Sequence, residues 1–233
     1  MKRFYKQAEA GTAPGGYVIR LDGKAIKTVM QHNLILSQPL AEAIAAEWQA
    51  QGEHIIPASM PLMQLASTMT DKCGPGPDRA AMNAELVKFA ASDLVCYFAP
   101  TPPDLVKRQE EHWLPLLKWL RETHGATLEP VTGIKYHNQP PESLETLNKA
   151  INGLSPAAFT VAQAATSVCG STVIGLALLD GYLDGEGAYA AATVDENWQL
   201  ETWGEDAPAR KKLDHIKREL QAIALFRDLV NAA

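Results

Sequence analysis

The sequence predicts an α+β protein in which a small, sheet-containing N-terminal domain precedes a larger, all-helical C-terminal domain. Alternation of apolar and polar residues, typical of strands, occurs only in the first third of the chain. Beyond four consecutive helix breakers at Gly74–Pro77, nearly every segment has helical periodicity. We therefore predict one domain over residues 1–74 and a second over residues 78–233.

A β-hairpin is the first predicted element. The segment Tyr17–Thr28 alternates around an Asp-Gly pair, which suits a two-residue type I′ turn because both central residues take positive φ. Pairing across that turn places Ile19 opposite Ile26 on one face. A short apolar run, Leu34–Leu36, is expected to add a third strand.

Two helices complete the predicted N-terminal domain. Ser37 is the expected N-cap of the first helix, which should end before Gly52. Leu40, Ile44 and Trp48 recur every four residues, so we expect Trp48 to be a core residue. A second apolar stripe, beginning at residue 62 and reaching residue 69, predicts the next helix.

The C-terminal domain is predicted to contain six helices and one extended segment. Pro115 is expected to kink the second of these helices. The extended segment is Leu128–Pro141. The helices are Asp78–Ala99, Asp104–His124, Glu142–Asn152, Pro156–Leu179, Glu186–Trp203 and Pro208–Asn231. Small residues in Cys169–Gly175 are interpreted as allowing two helices to approach closely.

Composition and missing motifs exclude several classes of function. The formal net charge of −6 and the pI near 5.5 argue against nucleic-acid binding, which usually needs a basic surface. No phosphate-binding loop of either common type is present, so no nucleotide is expected. No two histidines have the i, i+4 spacing of a helical metal site, and neither a metal nor another cofactor is predicted.

The expected location follows from equally simple patterns. No apolar run approaches the roughly 20 residues of a membrane span. The N-terminus lacks the apolar core of a signal peptide and the composition of a transit peptide, so the protein should act where it is made or be already processed. Three separate cysteines without a CxxC pair suit reduced thiols in a cytosol.

The most unusual stretch is DENWQLETWGED, Asp195–Asp206, which has five carboxylates and two tryptophans in twelve residues. On a helix, Glu201 shares a strip with Trp198, so one carboxylate lies beside an apolar surface. Such a carboxylate could be a general acid, and a carboxylate-dependent hydrolase would pair Glu201 with Asp195 or Glu205. The simpler interpretation is an intramolecular match with the base-rich segment Arg210–Arg227.

Six segments in a fixed order along most of the chain resemble a known family. They are RFYK from residue 3, GYVIRLDGKAIKT from residue 16, LAEAIAAEWQAQGEHI from residue 40, MPLMQLAST from residue 60, SDLVCY from residue 92, and DENWQLETWGED. With these segments the chain resembles the Atp-twelve family, the assembly chaperones for the alpha subunit of the catalytic sector of F-type ATP synthase.

The resemblance implies a binding activity and no enzymatic reaction. The protein would bind the unassembled alpha subunit without ATP and cover its exposed apolar surface until the beta subunit arrives. It would be a monomer when free, in the cytoplasm of an alphaproteobacterium, or in the mitochondrial matrix if this is a processed eukaryotic chain. A subunit retained in the finished synthase is a further alternative, as is the hydrolase.

If the resemblance holds, we expect the acidic motif to contribute to client binding. Glu201, Glu205, Asp206 and Trp203 are the predicted client-binding residues, with Glu201 as the principal functional carboxylate. Trp198 and Leu200, like Trp48, are predicted to be structural. The carboxylates either pair with basic groups on the client or pair with the basic segment that follows them in the chain. The apolar residues of the motif, Trp198, Leu200 and Trp203, either anchor the client directly or pack the last two helices together, and an exposed aromatic residue at position 198 or 203 would favour the client anchor.

Overall fold

The computed structural model describes residues 1–204 and 206–232, and it confirms the α+β class. Three antiparallel strands, β1 (Ala8–Ala13), β2 (Gly16–Leu21) and β3 (Lys24–Ala25), form an N-terminal sheet in that order. Helices dominate the remainder. The second part is not all-helical, because it holds a parallel pair of two-residue strands: β4 (Tyr97–Phe98) lies where a helix was expected, and β5 (Val131–Thr132) lies within the predicted extended segment.

The β2–β3 hairpin has the expected turn. Asp22 and Gly23 both have positive φ, 47° and 80°, as a type I′ turn requires. The Ile26 amide donates to the Ile19 carbonyl at 3.0 Å, so the predicted register continues beyond β3. The prediction that Leu34–Leu36 is a strand is wrong, because only Leu36 bridges to β2, through two backbone hydrogen bonds with Tyr17 of 2.9 Å.

Helix α1 (Gln38–Gln49) packs against β1 and β2, and α2 (Pro61–Lys72) packs against α1. Leu40 and Ile44 are buried on α1, whereas Trp48 is only partly buried. Glu47 joins the two helices, since its two carboxylate oxygens accept from the Leu62 and Met63 amides, each at 2.9 Å. These amides begin α2 and have no partner within the helix. Burial raises the pKa of the Glu47 carboxyl despite these hydrogen bonds.

The helices of the second part, as far as the structure describes them, mostly begin at a proline in the first turn, where a missing N–H costs nothing. They are α3 (Pro77–Ala91), α4 (Pro103–His124), α5 (Pro141–Asn152), α6 (Pro156–Cys169), α7 (Thr172–Leu179), α8 (Gly185–Ala192), α9 (Val194–Trp203) and α10 (Ala207–Asn231). Pro115 lies inside α4.

Three predicted helices are shorter than expected. The helix expected over residues 78–99 ends at residue 91, and a 3-10 turn and β4 follow it. The helix expected over residues 156–179 divides into α6 and α7, because Gly170 ends α6 in the left-handed region at φ 68° and the Ser171 hydroxyl caps α7. The helix expected over residues 186–203 divides into α8 and α9 at Thr193.

Helices α6 and α7 approach closely, as the small-residue pattern predicts. A Cβ added to Gly175 would lie 2.4 Å from the Thr166 hydroxyl and 2.9 Å from the Ala162 carbonyl. The start of α7 is tied to the end of α3 by the fully buried Asp93. Its carboxylate accepts from the Ser171 hydroxyl at 2.5 Å and from the Val173 amide at 3.1 Å.

The hydrophobic core runs from the N-terminal sheet into the helical part. Helix α2 packs against α6 and α10, and the Ser37 hydroxyl donates to the Leu229 carbonyl of α10 at 2.8 Å. The division at residues 74–77 falls between α2 and α3 and stays a prediction. None of the helices within residues 1–204 and 206–232 is long and apolar enough to cross a bilayer.

Candidate functional site

The first nine residues of the acidic motif form most of α9, which lies against α4. Positions 195, 198 and 201 are spaced by three, so their side chains follow one side of the helix. Each of them contacts a polar side chain of α4. The three contacts, which we call the α4–α9 clasp, are Gln109 Nε2 to Asp195 Oδ1, Trp198 Nε1 to Asp104 Oδ2, and Arg108 Nη1 to Glu201 Oε2, each 2.6 Å long.

Trp198 is the centre of this clasp. The residue is buried, with 7 % of its surface exposed, and its indole N–H donates to Asp104. That hydrogen bond is the main cause that holds the pKa of the Asp104 carboxyl below its usual range. Leu200 is buried as well. Both residues therefore lie where a structural role would place them.

Glu201 has a different partner from the one expected. The sequence predicted an ion pair with the base-rich helix α10, whereas in the structure Glu201 pairs with Arg108 of α4. The bases of α10 contact other acids, Lys212 with Glu196 at 3.6 Å and Lys217 with Glu186 at 2.8 Å. The Glu201 side chain remains 57 % exposed, so one side of the ion pair faces the solvent.

Trp203 is the exposed aromatic residue of the motif. It ends α9, leaves 72 % of its surface exposed, and contacts Trp198 edge to face with the ring centroids 5.8 Å apart. Asp206 has a local role, because its Oδ2 accepts from the Ala209 amide at 3.0 Å and caps α10. Glu205 lies outside the described residues.

The geometry does not favour Asp195 as the partner of Glu201 in the hydrolase alternative, and the pairing of Glu201 with Glu205 lies outside the described residues. Asp195 and Glu201 both contact α4 and do not face each other across a cleft, as a pair of catalytic carboxylates would. In the described part of the chain, no group of three or more histidine, cysteine, aspartate or glutamate side chains could hold a metal ion.

The α4 members of the clasp, Asp104, Arg108 and Gln109, were not among the site residues predicted from the sequence. Asp104 and Arg108 have the i, i+4 spacing that places two side chains on one helical face. That spacing is a weak signal, because it is equally typical of a local ion pair. Their partners on α9 lie 94 and 93 positions further along the chain.

Comparison with known proteins assigns the chain to a family. A family model described as ATP12 chaperone protein matches residues 2–121, which is more than half of the chain. The mitochondrial protein atp12 of Schizosaccharomyces pombe is 25 % identical over 240 residues, which cover 97 % of this chain and 81 % of that protein.

Solved structures agree over nearly the full length. Atp12 from Paracoccus denitrificans is 31 % identical, with a TM-score of 0.89 over 99 % of this chain and 98 % of that one. The Atu1473 protein of Agrobacterium tumefaciens is 33 % identical, with a TM-score of 0.89 over 99 % of this chain and 86 % of that one. The resemblance found in the sequence is thereby confirmed, and the chain belongs to the ATP12 family of chaperone proteins.

Proposed function

We propose that this protein is an ATP-independent chaperone that binds the unassembled alpha subunit of F-type ATP synthase and prevents its aggregation until it assembles with beta. The observation that carries this proposal is the agreement in sequence and fold with Atp12 over nearly the whole chain. A subunit awaiting its neighbours exposes apolar surface, which is an aggregation hazard. The chaperone needs only to bind that surface more weakly than the final partner does, so the exchange requires no ATP.

We further propose that Trp203 anchors the client. A few large aromatic side chains often carry most of the binding energy in protein interfaces. Trp203 is exposed, while the buried Trp198 supports one edge of its ring. The clasp holds α9 against α4, so the anchor is positioned before the client arrives and little ordering is needed on binding.

The carboxylates would form the rim of this surface. Glu201 keeps an open side beyond Arg108, and Asp206 follows within five residues. Basic groups on the client would meet them, with an effect on specificity and association rate larger than that on affinity. Glu205 belongs to the same predicted rim on sequence grounds alone.

The experiment is a light-scattering assay of purified alpha subunit without nucleotide, combined with a measured Kd. The wild-type protein should suppress aggregation, and Trp203→Ala should weaken binding about 30-fold, as for an interface hot spot of about 2 kcal/mol. Phe4→Ala is the matched control. Phe4 is also exposed, by 65 %, and also makes one edge-to-face contact with a buried aromatic ring, that of Tyr5.

The outcomes separate the alternatives. If the folded wild-type protein neither suppresses aggregation nor forms a complex, the proposal is wrong and the hydrolase using Glu201 becomes the leading candidate. If Trp203→Ala and Phe4→Ala both bind as the wild type does, the client surface lies elsewhere. Glu201→Gln tests whether this carboxylate contacts the client. If the Kd and the association rate of the variant equal those of the wild type, Glu201 contributes to the clasp and not to client binding.

Location and assembly state complete the proposal. We propose that the protein acts as a monomer when free, in the bacterial cytoplasm, or in the mitochondrial matrix if the chain is eukaryotic. The S. pombe relative is described as mitochondrial. Copurification of the protein with mature ATP synthase in stoichiometric amounts would instead support a retained structural subunit.

A further inference from the structure

Two neighbouring hollows lie along the exposed side of α4. They have volumes of about 490 and 370 Å³, and Glu110 and Leu114 line both of them. Val106, Glu110, Leu114 and Lys118 recur every four residues along the helix, and each of them lines at least one of the two hollows. We call this surface the α4 groove. The part around Glu110 lies away from the clasp, since positions 108 and 110 are about 200° apart around the helix, whereas Trp119 and Glu122 lie on the same side of α4 as Arg108, about three turns or more further along.

The walls of the α4 groove are largely apolar. At one end Tyr182 is 47 % exposed and stacks on Trp119, with the ring centroids 5.2 Å apart and the planes 19° from parallel. At the other end β4 and β5 form the wall. Leu114 is 45 % exposed between the two ends. Exposed apolar side chains gathered in one concave surface are typical of a binding site for another protein.

Glu110, which lines both hollows, has no counterion among the described residues. Glu111 and Glu122 of the same helix pair with Lys107 and Lys118, at 3.8 and 3.9 Å. Glu110 makes no side-chain hydrogen bond or ion pair with any residue that the structure describes. An unpaired carboxylate between apolar walls is complementary to a segment that carries a cation among apolar residues.

We propose that the α4 groove binds an apolar segment of the client that carries a lysine or arginine, which pairs with Glu110. This inference rests on the proposed function and adds a second contact surface to the one around Trp203. Two contact surfaces of modest affinity on one protein together give a tight complex, and the client can still leave one surface at a time.

The first test is a charge reversal with a matched control. Glu110→Lys should raise the Kd for the purified alpha subunit about tenfold, because attraction becomes repulsion. Glu111→Lys changes the same charge one residue away, outside the groove, and should change the Kd less than twofold. Both side chains are exposed, and the Lys107–Glu111 contact is a weak surface ion pair, so both variants should melt within about 3 °C of the wild type. The Kd of Glu110→Gln should depend less steeply on salt than that of the wild type.

The second test locates the client directly. Cys73, Cys96 and Cys169 are all buried, and burial raises the pKa of each thiol, so they react slowly with thiol reagents. A benzophenone attached to Leu114→Cys should therefore report one position, and it should cross-link to the alpha subunit on illumination. The same label on Lys24→Cys, an exposed position of β3, should give less than a tenth of that yield.

The results distinguish this inference from the proposed function. If the wild type binds the alpha subunit while Glu110→Lys binds equally well and the label at position 114 gives no cross-link, the groove does not bind the client and the chaperone function stands. If the wild type forms no complex at all, both are overturned, because the occupant of the groove is a segment of that client.

Discussion

Replacement of Arg79 by methionine should be among the most destabilising single changes in the protein. Arg79 lies in the first turn of α3 and has 8 % of its surface exposed. No carboxylate among the described residues pairs with its guanidinium. Backbone carbonyls replace the counterion: Nη1 donates to Cys73 at 2.8 Å, and Nη2 donates to Leu154 at 2.6 Å.

Three further contacts complete the site of this cation. Nη2 also lies 3.3 Å from the Ile151 carbonyl and 3.2 Å from the Asn152 carbonyl, at the end of α5. The helix dipole makes that end partly negative. The guanidinium carbon lies 4.2 Å from the ring centroid of Phe159. Arg79 thus joins α3, α5, α6 and the chain segment that follows α2.

The magnitude follows from these contacts. Each of the two short charge-assisted hydrogen bonds contributes about 1.5 kcal/mol net, and the buried cation–π contact contributes about 1 kcal/mol. Methionine fills a similar volume and leaves the carbonyls without a donor, so the total loss should be about 4 kcal/mol. For a chain of 233 residues this lowers the melting temperature by about 10 °C.

The assay is urea unfolding followed by circular dichroism, with Arg218→Met as the control. Arg218 is exposed on α10, and its removal should cost less than about 0.5 kcal/mol. A loss below about 1 kcal/mol in Arg79→Met, with an unchanged m-value, would refute the reasoning. Water would then satisfy the carbonyls as well as the guanidinium does.

Three other changes test the electrostatics and packing elsewhere in the molecule. Burial raises the pKa of Asp93 to about 6, so the folded state keeps a proton that the unfolded chain releases near pH 4. The unfolding free energy of the wild type relative to Asp93→Asn should therefore fall as the pH rises from about 4 to about 6, and a constant difference in urea titrations would contradict this. Trp48→Ala should cost about 3 kcal/mol, because Trp48 is only partly buried, and unchanged thermal stability would overturn its structural role. Glu47→Gln places an amide donor against one of the first amides of α2 and should cost about 1.5 kcal/mol in thermal melts, whereas Glu42→Gln, exposed on the same helix, should cost almost nothing.

Elements with strong local signals could be predicted closely. The Asp-Gly turn of the β2–β3 hairpin and the proline starts of α5 and α10 act within a few residues, so the local chain specifies them. Strand β1 was missed because its sequence, AEAGTA, has small side chains and no alternation of large apolar residues. β1 is a strand because it pairs with β2, and the residues of β1 alone contain no pattern that predicts this pairing.

For the candidate site, the sequence by itself determined the class of protein and the motif of interest. Six ordered segments identified the family, and a concentration of acids and tryptophans in residues 195–206 marked α9. Those features depend only on which residues follow one another along the chain.

Only the tertiary structure decided what each residue of the motif contacts. Glu201 pairs with Arg108 and not with the nearby bases of α10, Trp198 is buried, and Trp203 is exposed. The three residues occur within six positions of one short helix, so their local sequence is nearly the same for all of them. The physical reason for their different roles is the packing of α9 on α4: it buries one side of the helix, and it places one of many possible cations within 2.6 Å of Glu201.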